Sequence, residues 1–276
     1  MSGTNRLVAR LDAEKRAGRR GVAPFLTAGD GGLERTLACL RALDRAGAAC
    51  AELGLPFSDP IADGPVLQAA ADRALAAGTT YANVCELLRT FRAGDAHHPA
   101  SALPIAIMSY SNPLLVRGLE RSARELASAG ADAWLVPDVP LEEGDELRAA
   151  GAAAGLACIA FVSPTTDDAR LERAAHASRG FLYAIGRFGV TGTSTDLDGD
   201  AQSFLARVRE ACGELPLAVG FGIDTPAKVR AAVRHADLAI VGSALVQHVH
   251  EVGGDACAAA GAAEHFVRDL RRGLTP

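Results

Sequence analysis

The 276-residue chain is 49% hydrophobic but only 5% aromatic, so its core must be built mainly from Ala, Val, Leu and Ile. A net charge of −5 leaves no basic excess, which argues against nucleic acid or an anionic membrane as the main partner. Six cysteines, at 39, 50, 85, 158, 212 and 257, form no CxxC pair and read as free thiols, with Cys50 and Cys158 in apolar strand-like segments. Residues 1–20 lack an apolar signal core, and the longest run without polar residues, 149–162, is too short to span a bilayer. The expectation is a soluble, cytoplasmic protein.

Taken in chain order, the pattern predicts a helix over 6–16, placed to plug one end of a barrel, then a strand over 22–27 and a helix over 33–45. A strand over 49–55 leads through a Pro- and Asp-rich loop to two helices, 67–77 and 81–92. The loop 93–103 is polar, and its His97 and His98 read as solvated. Strands then alternate with helices: 105–110 with 114–129, 133–139 with 143–154, 157–162 with 167–177, and 181–185 with 201–212. The last two strands, 217–221 and 238–241, flank a helix over 226–235, and Gly242-Ser243 opens another.

Strands that read as continuous apolar runs are buried on both faces, and strand–helix alternation demands a parallel sheet. Eight such units in one domain, residues 1–276, fit an α/β fold of the (β/α)8 barrel type. Extra helices fall at the N-terminus, after the second strand and near the C-terminus. A doubly wound open sheet fits less well, because TAGDGG follows the first strand in place of GxGxxG.

In such barrels the site is built at the C-terminal ends of the strands. Glu52 lies inside an apolar strand, where an ionised side chain is costly without a partner or a purpose. Asp63, eleven positions on, can reach the same pocket if its loop folds back over the strand end. An acid and a base facing one small substrate suit proton-transfer chemistry. Three Gly-rich turns after the last strands, Gly189–Gly192, Gly220–Gly222 and Gly242–Ser243, could cradle a phosphate with backbone amides. Lys15 and Lys228, the only two lysines, are not placed for a Schiff base, and no histidine or cysteine spacing suggests a metal. Acid–base chemistry remains: isomerisation, or an aldol-type cleavage.

The segments PFLTAGD, AELGLPFSDPIADGP, SYSNPL, VPDVPLEE, GVTG, GFGI and VGSALV are spread over nearly the whole chain. Together they resemble the α subunit of tryptophan synthase. That resemblance implies a (β/α)8 lyase cleaving indole-3-glycerol phosphate to indole and glyceraldehyde 3-phosphate. It assigns catalysis to Glu52, Asp63 and Tyr183, and phosphate binding to Thr191, Gly192, Gly222, Gly242 and Ser243. Phe25, Met108, Tyr110, Leu135 and Val162 fall where the family lines its indole pocket. Pro56, Asp59, Asn112 and Pro140 fall where it meets a β subunit, in an α2β2 assembly whose pyridoxal phosphate belongs to β. No cofactor is implied for this chain.

The departures from the family pattern are local. Gly31 follows Asp30 where Pro is usual, Gly186 stands where Ser is usual, and Phe188 is unusually bulky; Thr-Ser-Thr follows Gly192. They leave open a stand-alone lyase releasing free indole. A non-catalytic barrel regulating a β-type partner is disfavoured, because a regulator needs none of Glu52, Asp63 and Tyr183.

Overall fold

In the computed structural model, which describes residues 5–186, 197, 199–220, 222–253 and 255–275, the strands form one wholly parallel ring. They are β1 (Gly21–Thr27), β2 (Ala51–Gly54), β3 (Ile105–Met108), β4 (Ala133–Leu135), β5 (Ala157–Ile159), β6 (Phe161–Val162), β7 (Leu182–Ile185), β8 (Leu217–Gly220) and β9 (Leu238–Val241). Their spatial order is β5-β4-β3-β2-β1-β9-β8-β7-β6. β5 and β6 are two halves of the single strand expected over 157–162. Between them the Ala160 N–H turns away to donate to the Ser178 hydroxyl at 3.0 Å, while its carbonyl accepts from Tyr183 N–H at 3.0 Å. β5 pairs with β4 and β6 with β7, so this broken stave closes an eight-stave barrel.

The described residues form twelve α-helices. Those that replace or split expected segments do so for local reasons. The helix expected over 114–129 is two, α5 (Ser111–Arg117) and α6 (Leu119–Ala129), separated at Gly118 with φ 87°, a conformation that suits glycine and breaks helical geometry. The double helix after β2 is α3 (Pro65–Ala76) and α4 (Tyr81–Ala93). Proline opens the first, and a reciprocal Thr80–Asn83 capping box opens the second.

Two cores result. Between barrel and helices packs an aliphatic layer that includes Leu40, Leu53, Leu88, Ile107 and Val219. Inside the barrel the side chains are small, among them Ala23, Cys50, Ala106, Ala133, Ala157 and Ala218. The room they leave is taken by Phe181 and by Leu7 and Leu11 of α1 (Arg6–Arg16), the expected plug. Asn5 and Arg6 fasten it to the N-terminal ends of β4 and β5, through hydrogen bonds to the Asp132, Gly155 and Gly130 carbonyls and an ion pair with Asp132. Fully burying each leucine stabilises this closure by roughly 1.5–3 kcal/mol. With the bottom sealed, the open end of the barrel is the C-terminal one.

Candidate active site

Glu52 faces the barrel interior from β2, opposite Phe25 of β1 and Ala106 of β3. It is 1% exposed, and its Oε1 has no hydrogen-bond partner among the described residues. Burial disfavours the charged form, and it pushes the carboxyl from 4.5 up to about 8. Glu52 therefore stays protonated at neutral pH yet can ionise within a unit or so of it.

Asp63 reaches the same cavity from the loop 55–64. That loop is held in place by Tyr110: its hydroxyl accepts from Ala62 N–H at 3.0 Å, and its ring stacks on Phe57 with centroids 5.4 Å apart. A turn in which Asp63 N–H donates to the Pro60 carbonyl, and a bond from Gln68 Nε2 to the Asp63 carbonyl, fix the exit into α3. Burial raises the Asp63 carboxyl above its ordinary range, and the neighbouring Tyr110 hydroxyl opposes the shift.

Tyr183 comes from β7 and packs against Phe161, with centroids 5.0 Å apart. Its hydroxyl is held well above the usual phenol range, first by burial and then by the negative charges of Glu52 and Asp63. The ring fits because position 220 is glycine, where a Cβ would stand 2.7 Å from the Tyr183 hydroxyl.

Glu52, Asp63, Tyr183, Phe25, Met108 and Gly242 all border one cavity of 240 Å³. Of the other residues expected in an indole pocket, Tyr110 borders the adjoining space behind Asp63, together with Pro56. Leu135 lies inside the barrel without bordering the cavity, and Val162 points into the helix layer. Phe161, its neighbour, borders the cavity instead, as do Leu67, Ile185 and Ile240. The inward parity of 157, 159 and 161 was the signal that distinguishes them, but it is masked where both strand faces are apolar.

Of the expected phosphate groups, Gly242 caps α11 (Ser243–Val252), so the Ser243 helix start opens beside the cavity. Gly222 turns with φ 72° just after β8. Lys228, which the sequence reading set aside, sends its buried ammonium to the Gly222 carbonyl at 3.3 Å and to Asp224 at 3.0 Å. Thr191 and Gly192 lie outside the described residues, as does Phe188. Among the residues expected at a partner interface, Asp59, Asn112 and Pro140 are exposed and Pro56 is buried. Near them Ile61 and Val116 are each 80% exposed. No group of His, Cys, Asp and Glu among the described residues could hold a metal ion, and no described helix is long and apolar enough to cross a membrane.

A parallel barrel with one buried carboxylate, a half-buried one bordering the same cavity and a helix N-terminus at the open end has the layout of a barrel enzyme. Residues 11–274 match the family model for the tryptophan synthase alpha chain. The chain is 42% identical to the tryptophan synthase alpha chain of Xanthomonas campestris pv. campestris (strain B100), over 98% of this chain and 97% of that one. It is 46% identical to that of Gluconacetobacter diazotrophicus, over 88% and 86%. Among solved structures it resembles tryptophan synthase subunit alpha from Legionella pneumophila str. Paris, at TM-score 0.85 and 32% identity over 99% of both chains. It likewise resembles the aminoacrylate-bound form of tryptophan synthase from M. tuberculosis, at TM-score 0.83 and 28% identity over 98% of this chain and 100% of that one. The chain belongs to the tryptophan synthase alpha chain family, carbon–carbon lyases of tryptophan biosynthesis that cleave indole-3-glycerol phosphate.

Proposed function

We propose that Glu52 is the proton carrier of this cleavage. The observation that carries the reading is a buried carboxyl with Oε1 unpaired among the described residues, bordering a cavity it shares with Asp63 and Tyr183, where burial favours the protonated form. Cleavage of the bond between indole C3 and the glycerol chain requires C3 to be protonated, so that the ring becomes an electron sink. Glu52 gives that proton. Its carboxylate then takes the proton of the adjacent chain hydroxyl as that carbon becomes the aldehyde, which returns Glu52 to its starting state. Asp63 accepts the indole N–H hydrogen bond and stabilises positive charge building on the ring. Phe25, Met108 and Tyr183 supply walls for the ring, and backbone amides around Gly222, Gly242 and Ser243 supply a field for the phosphate. The scheme uses no metal, imine or cofactor held by this chain.

The exposed Asp59, Asn112 and Pro140, with exposed apolar Ile61 and Val116, support docking of a pyridoxal-phosphate β subunit at the open end, in an α2β2 assembly that receives the indole. We place the enzyme in the cytoplasm, as one barrel domain. The test is to mix purified chain with indole-3-glycerol phosphate, with and without a tryptophan synthase β subunit, and follow indole and glyceraldehyde 3-phosphate. Stoichiometric release of both, accelerated by β, is expected. No aldehyde under either condition would overturn the reading.

A further inference from the structure

A second cavity, of 160 Å³, lies outside the barrel between β4–β5 and the helices α7 (Asp145–Ala154) and α8 (Asp168–Ala177), beneath the short 3-10 turn Leu141–Glu143. Its apolar walls include Trp134, the single tryptophan of the chain, with Val136, Val139, Leu141 and Phe161. Polar atoms, among them those of Arg148 and Arg170, share its lining, and a volume of about 150 Å³ is large enough to take up a single aromatic ring.

The polar groups around it are already committed. Trp134 Nε1–H donates to Cys158 Sγ at 2.8 Å. Arg148 donates to the Leu141 carbonyl at 2.9 Å and to Asp145 at 2.6 Å, and Arg170 pairs with Glu142 at 3.0 Å. An anion would have to break these pairs to be held, whereas a neutral ring needs none of them. Two residues, Pro137 and Phe161, border both this cavity and the reaction cavity, so the two share a wall.

We propose that this cavity is a second binding site, for a small neutral aromatic molecule of one ring or two fused rings. It forms separately from the reaction cavity, and it stands whether or not the lyase mechanism holds. A ligand there packs against Trp134 and Phe161 and lies under the segment that carries Val139 and Pro140.

The probe is 5-fluoroindole, titrated into the wild-type protein and followed by ¹⁹F NMR. Two saturable bound environments are expected, one in each cavity. Leu147→Trp fills the second cavity from α7 and should remove one of them, leaving the other. Leu67→Trp fills the reaction cavity and should do the reverse. If Leu147→Trp does not fold, Ala177→Leu fills the same space from α8. A local readout comes from Cys158, which borders the second cavity alone. In a Cys257→Ser background, saturating 5-fluoroindole should slow its modification by methyl methanethiosulfonate by about tenfold, in proportion to site occupancy. A single bound environment that Leu67→Trp abolishes, or protection of Cys158 that survives Leu147→Trp, would overturn the proposal.

Discussion

Phe25 stands directly opposite Glu52 in the β1–β2 register, and its ring occupies the space that a side chain at Gly54 would need. A Cβ on Gly54 would lie 2.5 Å from the Phe25 ring. The glycine two positions after the catalytic candidate therefore sets the depth of the ring beside it. Gly54→Ala should displace Phe25 into the reaction cavity. Overpacking of this kind costs about 1–3 kcal/mol. We expect a lowered thermal midpoint and a KM for indole-3-glycerol phosphate raised more than kcat falls. Gly54→Ala with wild-type KM would show that Phe25 does not shape the substrate site.

Glu52→Gln keeps the shape of the side chain and removes its transferable proton. Turnover should drop by about three orders of magnitude or more, with substrate affinity nearly intact. A variant retaining about a tenth of the wild-type rate would remove Glu52 from the proton-transfer role.

The raised Glu52 pKa also has two pH signatures of known sign. If Glu52 is the acid, as proposed, the reaction starts from its protonated form, and kcat/KM should decline as pH rises through about 8. The acid limb should lie above the ordinary aspartate range, because Asp63 must be ionised and burial raises it. Stability follows from linkage: between about 4.5 and about 8 the unfolded chain loses a proton that the native state keeps. Unfolding free energy from this group therefore falls as pH rises across that window, by at most about 1.4 kcal/mol per pH unit. Urea unfolding at pH 5 and pH 8 should show the decline in the wild type and a shallower one in Glu52→Gln. A rate that stays flat to pH 9 would mean that Glu52 is not the acid.

Tyr110→Phe deletes the acceptor for Ala62 N–H and the hydroxyl beside Asp63, while keeping the stack on Phe57. The stability cost should be about 1 kcal/mol, the net worth of one hydrogen bond. The larger effect should be on kcat, reduced by about tenfold as Asp63 loses its fixed position, since misplacement of about 1 Å can cost up to a hundredfold. Unchanged kcat with lowered stability would make Tyr110 a structural residue only.

These residues differ in how legible they were before the chain was folded. Glu52 was legible because a charge inside an apolar strand has few bland explanations, and Asp63 because a loop folding back over the strand end brings it to the same pocket. Phe161 was not. In 157–162 both faces are apolar, so nothing in the residue types says which side chain turns inward, and the break at Ala160 depends on a hydroxyl from Ser178 eighteen positions away. Tyr110 was expected against the indole; its bond to Ala62 depends on the path of a loop that pattern alone does not trace. Helix boundaries were legible at caps, as at Asp167, whose side chain accepts from Arg170 N–H. They were lost at Gly118, where apolar periodicity runs on across a backbone break.

The phosphate site poses the last test, because two kinds of group could supply its attraction. Gly242 borders the reaction cavity at the start of α11, and a Cβ there would meet nothing within 4 Å. Its extra atom would thus enter the cavity rather than the protein. Among the described residues Lys228 is a nearby cation, and its ammonium donates to the Gly222 carbonyl and to Asp224, which braces the turn after β8. If backbone amides and the helix N-terminus carry the affinity, Gly242→Ala should weaken inhibition by inorganic phosphate by about tenfold, roughly 1.4 kcal/mol. Lys228→Met should lower the thermal midpoint, because it removes a buried ammonium from its acceptors, yet change the phosphate inhibition constant only about twofold to threefold. Both constants are read from competition against indole-3-glycerol phosphate at fixed ionic strength. Loss of phosphate inhibition in folded Lys228→Met, with Gly242→Ala unaffected, would transfer the role from the backbone to the lysine.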